Sequence, residues 1–399
     1  MPTYTDREAG LADALERIRR RSETDAVPMI VLVAGGSASG KTSAVAKRIA
    51  TTFGEDAVIV SMDDYYRGRS YMDKEATLGH VLNFDQPEAV EMESVRKDIL
   101  SLKSGTSVPE RRYAFATGTG HYTGTSVEPK RVVVVEGLFA LREEIRDLGD
   151  LGIFVDVDTH SQLIRRLLRD TIERATMTLK DMLAYFADTV VPMHERYILS
   201  TRETADIVIR NDYIASEESK RAVTSERQIK YRTQTELRYK IGRTGAEPLG
   251  RLRQVDRYYD PPGRPLALTG ESLRIREEAG TITLCYKGPD TGMGNGIRRR
   301  PKLEFEIDQK TKRAFLGVYG WNGKTVWKTR DLYRKESLVF SIDTVSSEED
   351  GRTRTLGTFL EFRLTGEGEG EENAKMEALL DTLDIDKTTK TSLAYIEMW

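Results

Sequence analysis

Met29-Ile-Val-Leu-Val-Ala34, then Gly35-Gly-Ser-Ala-Ser-Gly-Lys-Thr42, then an amphipathic run to Phe53: this stretch decides the fold of the first half of the chain. A continuous apolar run bounded by glycines reads as a strand buried on both faces, and the turn after it has the spacing G-x-x-x-x-G-K-[ST]. The glycines let the backbone wrap an anion, successive N–H groups and a helix N-terminus point at phosphate oxygens, Lys41 adds positive charge, and Thr42 offers a hydroxyl to magnesium. Gly35, Gly36, Ser37, Ala38, Ser39, Gly40, Lys41 and Thr42 are therefore expected to hold the phosphates of a nucleotide.

Outward from this loop, short β-branched runs at residues 57–61, 131–135, 153–157 and 207–209 alternate with helical patterns at 42–53, 87–101, 161–175 and 179–202. That alternation predicts an α/β domain with a parallel sheet covered by helices. Past a polar stretch the period changes to two, with strand patterns at 227–233, 254–259, 272–277, 281–287, 302–307, 325–330, 337–344 and 358–364. An antiparallel sheet or β-barrel follows from that pattern. The glycine-rich acidic stretch 366–373 reads as a solvated loop and 374–382 as a helix. The expected organisation is an N-terminal helical extension over 1–27, a nucleotide-binding domain over 28–213, a linker over 214–223 and a β domain over 224–399.

Composition bounds the function. With 399 residues, 39% hydrophobic and 31% charged, the chain is long enough and apolar enough for two cores. Basic and acidic residues nearly cancel, 61 against 64, so no overall charge favours nucleic acid or an acidic membrane as partner. A single cysteine, Cys285, excludes an internal disulfide framework and a cysteine-based zinc site, and four scattered histidines show no metal-ligand spacing. No apolar run reaches 18 residues and the start of the chain is polar, so neither anchor nor signal peptide is expected and a cytoplasmic location fits.

Carboxylates at the ends of the first-half strands carry the chemistry. Asp63 and Asp64 follow the second strand, where an α/β sheet faces its ligand. A carboxylate there can take the proton of an acceptor hydroxyl, or it can simply cap the next helix. Glu136 ends another apolar strand and is placed to hold a magnesium-bound water, the alternative being a plain turn at Glu136-Gly137. Arg165, Arg166, Arg169 and Arg174 lie on a helix whose other face is apolar; they read either as a lid over phosphates or as solvated charges paired with Asp170 and Glu173.

Five segments together resemble the uridine kinase and phosphoribulokinase branch of P-loop kinases: the loop at 35–42, Ser61-Met-Asp-Asp-Tyr-Tyr66, Asn83-Phe-Asp-Gln-Pro87, Val135-Glu-Gly137, and Phe154-Val-Asp-Val-Asp-Thr running on to Arg165-Arg-Leu-Leu-Arg-Asp170. The resemblance implies that Asp63 is the catalytic base and that Asp85 holds ribose hydroxyls. It also implies that Tyr66, Phe84, Tyr113 and Phe115 line an acceptor pocket, and that Arg166, Arg169 and Arg174 close over it. One position departs from the family: Gly118 stands where a pyrimidine-reading histidine is expected, and His121 lies three residues further on.

In the second half, charges two residues apart share strand faces, as in Arg274 with Arg276, Lys302 with Glu304 and Glu306, Lys328 with Arg330, and Glu361 with Arg363. Periodicity alone allows either a solvated face or a charged barrel interior. Glu226-Arg-Gln-Ile-Lys230, Gln254-Val-Asp-Arg-Tyr-Tyr-Asp260, Ser272-Leu-Arg-Ile-Arg276, Leu284-Cys-Tyr-Lys-Gly-Pro289, Val326-Trp-Lys-Thr-Arg330 and Leu356-Gly-Thr-Phe-Leu-Glu361 resemble the CYTH, or triphosphate tunnel metalloenzyme, family. That implies a tunnel in which Lys230, Arg274, Arg276, Lys287, Lys328 and Arg330 contact a polyphosphate, with Glu226 and Glu361 remaining as metal ligands. The family pattern E-x-E-x-K has Gln228 at its second acid here, and the later E-x-E pair is reduced to Glu361 with Arg363.

The whole chain is similar to the two-domain tunnel enzymes of plants. The expected function is an ATP- and Mg2+- (or Mn2+-) dependent phosphotransferase acting on a nucleoside or similar small acceptor, with a C-terminal domain that binds or hydrolyses polyphosphate or pyrophosphate. The alternatives are a pyrophosphatase or tripolyphosphatase, or a polyphosphate-sensing module beside a nucleotide-binding domain. Adenylate cyclase activity ranks lower, and homo-oligomerisation is left open.

Overall fold

The computed structural model describes residues 2–24, 27–68, 70–71, 83–115, 117–167, 169–170, 178–212, 224–233, 237–261, 263–289, 298–349, 351–364, 369–391 and 393–398. The expected linker at 214–223 and Arg174 lie outside the described residues. Two compact units divide the chain, Met1–Tyr213 and Ile214–Trp399.

The first unit contains β1 (Thr3–Tyr4), β2 (Met29–Gly35), β3 (Ala57–Ser61), β4 (Val108–Ala114), β5 (Thr119–Val127), β6 (Val132–Glu136), β7 (Leu151–Asp156) and β8 (Ile207–Arg210). Six of them form a parallel sheet in the order β1-β8-β7-β2-β6-β3, and β4 and β5 pair separately as an antiparallel hairpin. Every residue of β2 is buried because it is central and covered on both faces. Its side chains alternate between two cores: Ile30 and Leu32 join Val133, Val135 and Phe154 on one face, while Val31 and Val33 join Val134, Ile153 and Ile207 on the other. The helix Arg7–Thr24 lays Leu11, Ala14 and Ile18 onto the second face, a spacing that keeps them on one side of an α-helix. Each such buried leucine or isoleucine contributes roughly 1.5–3 kcal/mol by leaving water. Asp6 accepts from the Ala9 N–H at 2.8 Å and satisfies one of the free donors of that helix's first turn.

The hairpin β4–β5 has no counterpart in the sequence pattern. All but the last residue of β5 are exposed, so it lacks the apolar alternation that announces a strand.

The second unit contains β9 (Thr224–Thr233), β10 (Glu247–Asp260), β11 (Ser272–Glu278), β12 (Thr281–Lys287), β13 (Arg298–Ile307), β14 (Gly320–Lys335), β15 (Leu338–Glu349), β16 (Arg352–Leu364) and β17 (Lys390–Thr391). The order β13-β12-β11-β10-β14-β15-β16-β9 is antiparallel throughout, and the pairing of β13 with β9 closes it into a barrel. Its apolar faces point outward. Ile229, Tyr231, Phe340, Ile342, Leu360 and Phe362 pack against Leu237 and Ile241 of one helix, Leu237–Gly242, and Met376, Leu379, Leu380 and Leu383 of another, Glu369–Leu383. The polar faces are left to line the interior.

The acidic stretch expected as a loop is helical from Glu369 onward, with 365–368 outside the described residues. Its acids sit on a helix because Glu371 pairs with Lys375 one turn on, at 2.8 Å, while the apolar side of the same helix is held by the barrel wall.

Candidate functional site

In the first unit, the loop from Gly35 to Thr42 leaves the carboxyl end of β2 in a conformation that its residues permit. Gly40 has φ +85°, and a side chain on it would collide with the Asn211 amide. A Cβ on Gly36 would lie 2.8 Å from His194 Nδ1, so only glycine fits. Ala38 has φ +58°, a left-handed conformation that costs an L-residue free energy and is held here by the surrounding contacts. Those contacts are specific: Asn211 Nδ2 donates to the Ser39 carbonyl at 2.7 Å, and Arg165 Nη1 donates to the carbonyls of Asn211 at 2.7 Å and Ala38 at 3.4 Å. Arg165 is thus a brace for the loop.

Lys41 is buried at the start of the helical segment that leaves the loop. Thr42 Oγ1 donates to Glu136 Oε2 at 2.9 Å, and Ser61 Oγ donates to Glu136 Oε1 at 2.6 Å. The ends of β3 and β6 and the helical segment after the loop therefore bring together two hydroxyls and a buried carboxylate. This all-oxygen set suits magnesium, which takes few protein ligands and completes its shell with phosphate oxygens and water.

Asp63 and Asp64 have different surroundings. Asp64 accepts from the Tyr113 N–H at 3.0 Å and from Arg112 Nη1 at 3.0 Å, which ties it to the hairpin. Asp63 has no hydrogen-bond partner among the described residues. Burial pushes its carboxyl above the usual carboxylate range, Glu136 and Asp64 add to that, and Lys41 and Arg169 oppose it.

Four expected acceptor aromatics form one cluster. The Tyr66 ring lies 5.5 Å from Phe84, 5.6 Å from Tyr113 and 5.9 Å from Phe115, all edge-on. Asp85 is buried beside them and accepts from Tyr185 Oη at 2.9 Å. Arg166 donates to Ser37 Oγ at 2.7 Å, pairs with Asp170 at 3.3 Å and lies over the Tyr185 ring at 5.5 Å. Arg169 also pairs with Asp170, at 2.7 Å.

Sequence reasoning missed Tyr185 and Asn211, which carry no local motif, and used Ser61 only as part of the family pattern. The hairpin register resolves His121: it stands opposite Arg112, while Tyr113 stands opposite Gly120. Adjacent strand residues face opposite sides, so the exposed His121 points away from the face Tyr113 presents to the aromatic cluster. Gly118, with φ +66°, makes the turn.

In the second unit, Lys230, Arg274, Arg276, Lys287, Lys328 and Arg330 all line one barrel cavity of about 670 Å³, mouth included. Lys302 and Arg363 line it too, making eight cationic residues against one lining carboxylate, Glu361, among the described residues. Three acids anchor the arginines. Asp256 takes Arg276 through both oxygens at 2.7 and 2.9 Å and Arg274 at 3.3 Å. Burial alone would raise the Asp256 pKa, but Arg274, Arg276 and Lys328 hold it well below the usual carboxylate range. Asp343 takes Arg330 Nε at 2.8 Å, and Glu361 takes Arg330 Nη2 at 2.6 Å. Tyr395, from the C-terminal segment, donates to Asp343 at 2.9 Å and lies 3.2 Å from Glu361.

Among the described residues, the acids of the barrel face arginines and do not cluster. Glu361 faces Arg330 and Tyr395, the side chain of Glu226 is outside the described set, and among the described residues no group of three potential metal ligands forms.

The fold and the loop define the first unit as a P-loop nucleotide-binding domain and the second as a cationic tunnel barrel. Residues 30–213 match the phosphoribulokinase/uridine kinase family and residues 206–395 match the CYTH domain. The chain is 36% identical over 183 residues to a uridine kinase of Bacillus pumilus, a match spanning 46% of this chain and 86% of the relative. Against a uridine kinase of Deinococcus deserti it is 37% identical, over 46% of this chain and 87% of the relative. A solved structure of a protein from Pyrococcus horikoshii aligns with 43% of this chain and 97% of its own, at 26% identity and a TM-score of 0.35. The chain belongs to the phosphoribulokinase/uridine kinase family and carries a CYTH domain after its kinase domain.

Proposed function

We propose that the chain transfers the γ-phosphoryl group of ATP to a hydroxyl of a nucleoside or a similar small acceptor, and that its barrel binds polyphosphate. The observation that carries the first part is the contrast between the two neighbouring aspartates: Asp64 is tied to the hairpin, while Asp63 has no hydrogen-bond partner among the described residues and lies within the fields of Lys41 and Arg169.

In this reading Asp63 takes the proton of the acceptor hydroxyl as that oxygen bonds to the γ-phosphorus and the bond to the bridging oxygen breaks, leaving ADP. Lys41 and the loop N–H groups neutralise the phosphate oxygens, and Arg169 adds further positive charge. Arg166 and Asp85 position the acceptor, whose ring stacks among Tyr66, Phe84, Tyr113 and Phe115. Thr42 and Glu136 would hold magnesium, which screens the phosphate charge when bound. A cytoplasmic location suits this ATP-dependent role; among the described residues no helix is long and apolar enough to cross a membrane.

The test is phosphorus NMR on the purified chain with ATP and magnesium, first alone and then with nucleosides, pyrophosphate and tripolyphosphate. A new phosphomonoester with stoichiometric ADP is the expected result. Loss of pyrophosphate or tripolyphosphate alone, with no acceptor phosphorylated, would replace this reading by a hydrolase.

A further inference from the structure

The two positions at which the barrel departs from the acidic pattern of its family are Gln228 and Arg363. They stand directly opposite each other on the adjacent strands β9 and β16, and both line the cavity. The two changes therefore fall at one register position, with a neutral amide on one strand and a guanidinium on the other. The next pair on the same face of these two strands is Glu361 opposite Lys230, and Glu361 is already bonded to Arg330.

We propose that the barrel holds a linear chain of phosphates without a divalent metal, Arg363 supplying the positive charge beside the anion that a metal ion would otherwise supply. This rests on the polyphosphate reading of the barrel and goes beyond it by assigning the cation.

Three further observations support the assignment. Among the described residues, eight cationic side chains and one carboxylate line the cavity, an arrangement that a bound polyanion neutralises. Arg330 is 1% exposed, lines the cavity, and leaves its Nη1 without a hydrogen-bond partner among the described residues. A buried donor of that kind costs free energy unless a ligand completes it. Finally, Asp256, Asp343 and Glu361 each hold at least one arginine, so the acids in this barrel orient the cations. Guanidinium groups fixed by carboxylates keep their remaining N–H groups aimed, which suits the tetrahedral oxygens of successive phosphates.

The experiment uses the full chain and isothermal titration with tripolyphosphate, and in a parallel series with ATP, which separates the bare anion from a nucleotide carrying it. Each series is run in EDTA and in excess magnesium. Tripolyphosphate binding in EDTA is expected to match or exceed that in magnesium, because magnesium reduces the charge of the free anion. Arg363→Gln is expected to weaken binding by about tenfold, Arg363→Lys by much less, since one charge-assisted contact to phosphate is lost in the first and kept in the second. The double variant Gln228→Glu with Arg363→Glu restores the acids and is expected to bind only with magnesium. A tenfold loss of wild-type binding in EDTA, or wild-type affinity in Arg363→Gln, would overturn the assignment of the cation. Absence of tripolyphosphate binding with and without magnesium would overturn the polyphosphate reading itself, and this inference with it.

Discussion

The two units meet the problem of holding phosphates in opposite ways. The first offers a phosphate mainly backbone, from Gly35 to Thr42, adds one buried lysine, and keeps the carboxylates Asp63 and Glu136 close by. The second surrounds its cavity with eight cationic side chains and uses its buried acids to fix arginines in place. A site for transfer needs negative groups near the phosphate, to take a proton and to hold a metal; a site for capture has no such need and gains from excluding them. That difference separates a proposed catalytic centre from a proposed receptor within one chain.

Removing the negative group from the first site should have the largest effect. Asp63→Asn is expected to lower kcat by about 10²- to 10⁴-fold while ATP binding, measured by titration, stays near wild type. Because burial leads the causes that raise the Asp63 pKa, the fall in rate at low pH should begin above the ordinary carboxylate range. Asp64→Asn should act mainly on KM, since it loosens the hairpin that carries Tyr113. Full transfer activity in Asp63→Asn would remove the base from the first site and collapse the contrast.

In the second site the acids have a structural role, so breaking a buried pair should cost stability as well as any binding that Arg330 supports. Arg330→Met leaves Asp343 and Glu361 buried without their guanidinium and should cost about 3–5 kcal/mol, read as a lower urea midpoint for the barrel. An unchanged midpoint would show that those acids are hydrated and available to other partners.

How much of this was legible in the sequence follows from how local each site is. The phosphate loop is eight consecutive residues between a strand and a helix, so its geometry is written in its spacing. The barrel cavity is assembled from β9, β10, β11, β12, β13, β14, β16 and the C-terminal segment, and no window of sequence contains it. Alternation in those strands showed which residues share a face but not whether the face turns inward, because a solvated sheet and a polar tunnel have the same period. Family resemblance supplied the tunnel. It could not supply the network around Arg330, since its partner Asp343 and the Tyr395 that donates to Asp343 lie 13 and 65 positions from it and carry no motif of their own. The hairpin β4–β5 stayed unread because exposed threonines and glycines give no periodic signal.

A smaller effect should sharpen the electrostatic side of the comparison. Burial, reinforced by Arg330 and Arg276, pushes the Lys328 pKa down to about 7, against the opposing pull of Asp343 and Asp256; the Tyr395 ring lies 5.6 Å from its ammonium. A polyanion in the cavity favours the charged form and raises that pKa. Binding above pH 7 must then take up a proton, so affinity should fall as pH rises past 7, by up to about tenfold per unit. Calorimetry in buffers of different ionisation enthalpy measures the uptake, and Lys328→Met should abolish it. Affinity independent of pH between 7 and 8.5 would place the lysine outside the anion's reach.

The smallest effect concerns the acceptor side of the first site and is expected to be nearly nothing. If His121 served as the base reader three positions late, its imidazole would have to share the face of the hairpin that Tyr113 uses. The register forbids this: Gly120 stands opposite Tyr113, a Cβ on it would lie 3.8 Å from the Tyr113 ring, and His121 follows on the other face. Gly118 in the turn carries no side chain to take its place. Discrimination among bases that depends on a hydrogen-bonding side chain there is lost, because a site rejects an analogue strongly only when a buried polar group is left unpaired. His121→Ala should therefore change the kcat/KM ratio of uridine to adenosine by less than about twofold, a difference too small to correspond to a lost hydrogen bond. Strong selectivity for uridine that disappears in His121→Ala would show the hairpin adopting another register when the acceptor binds.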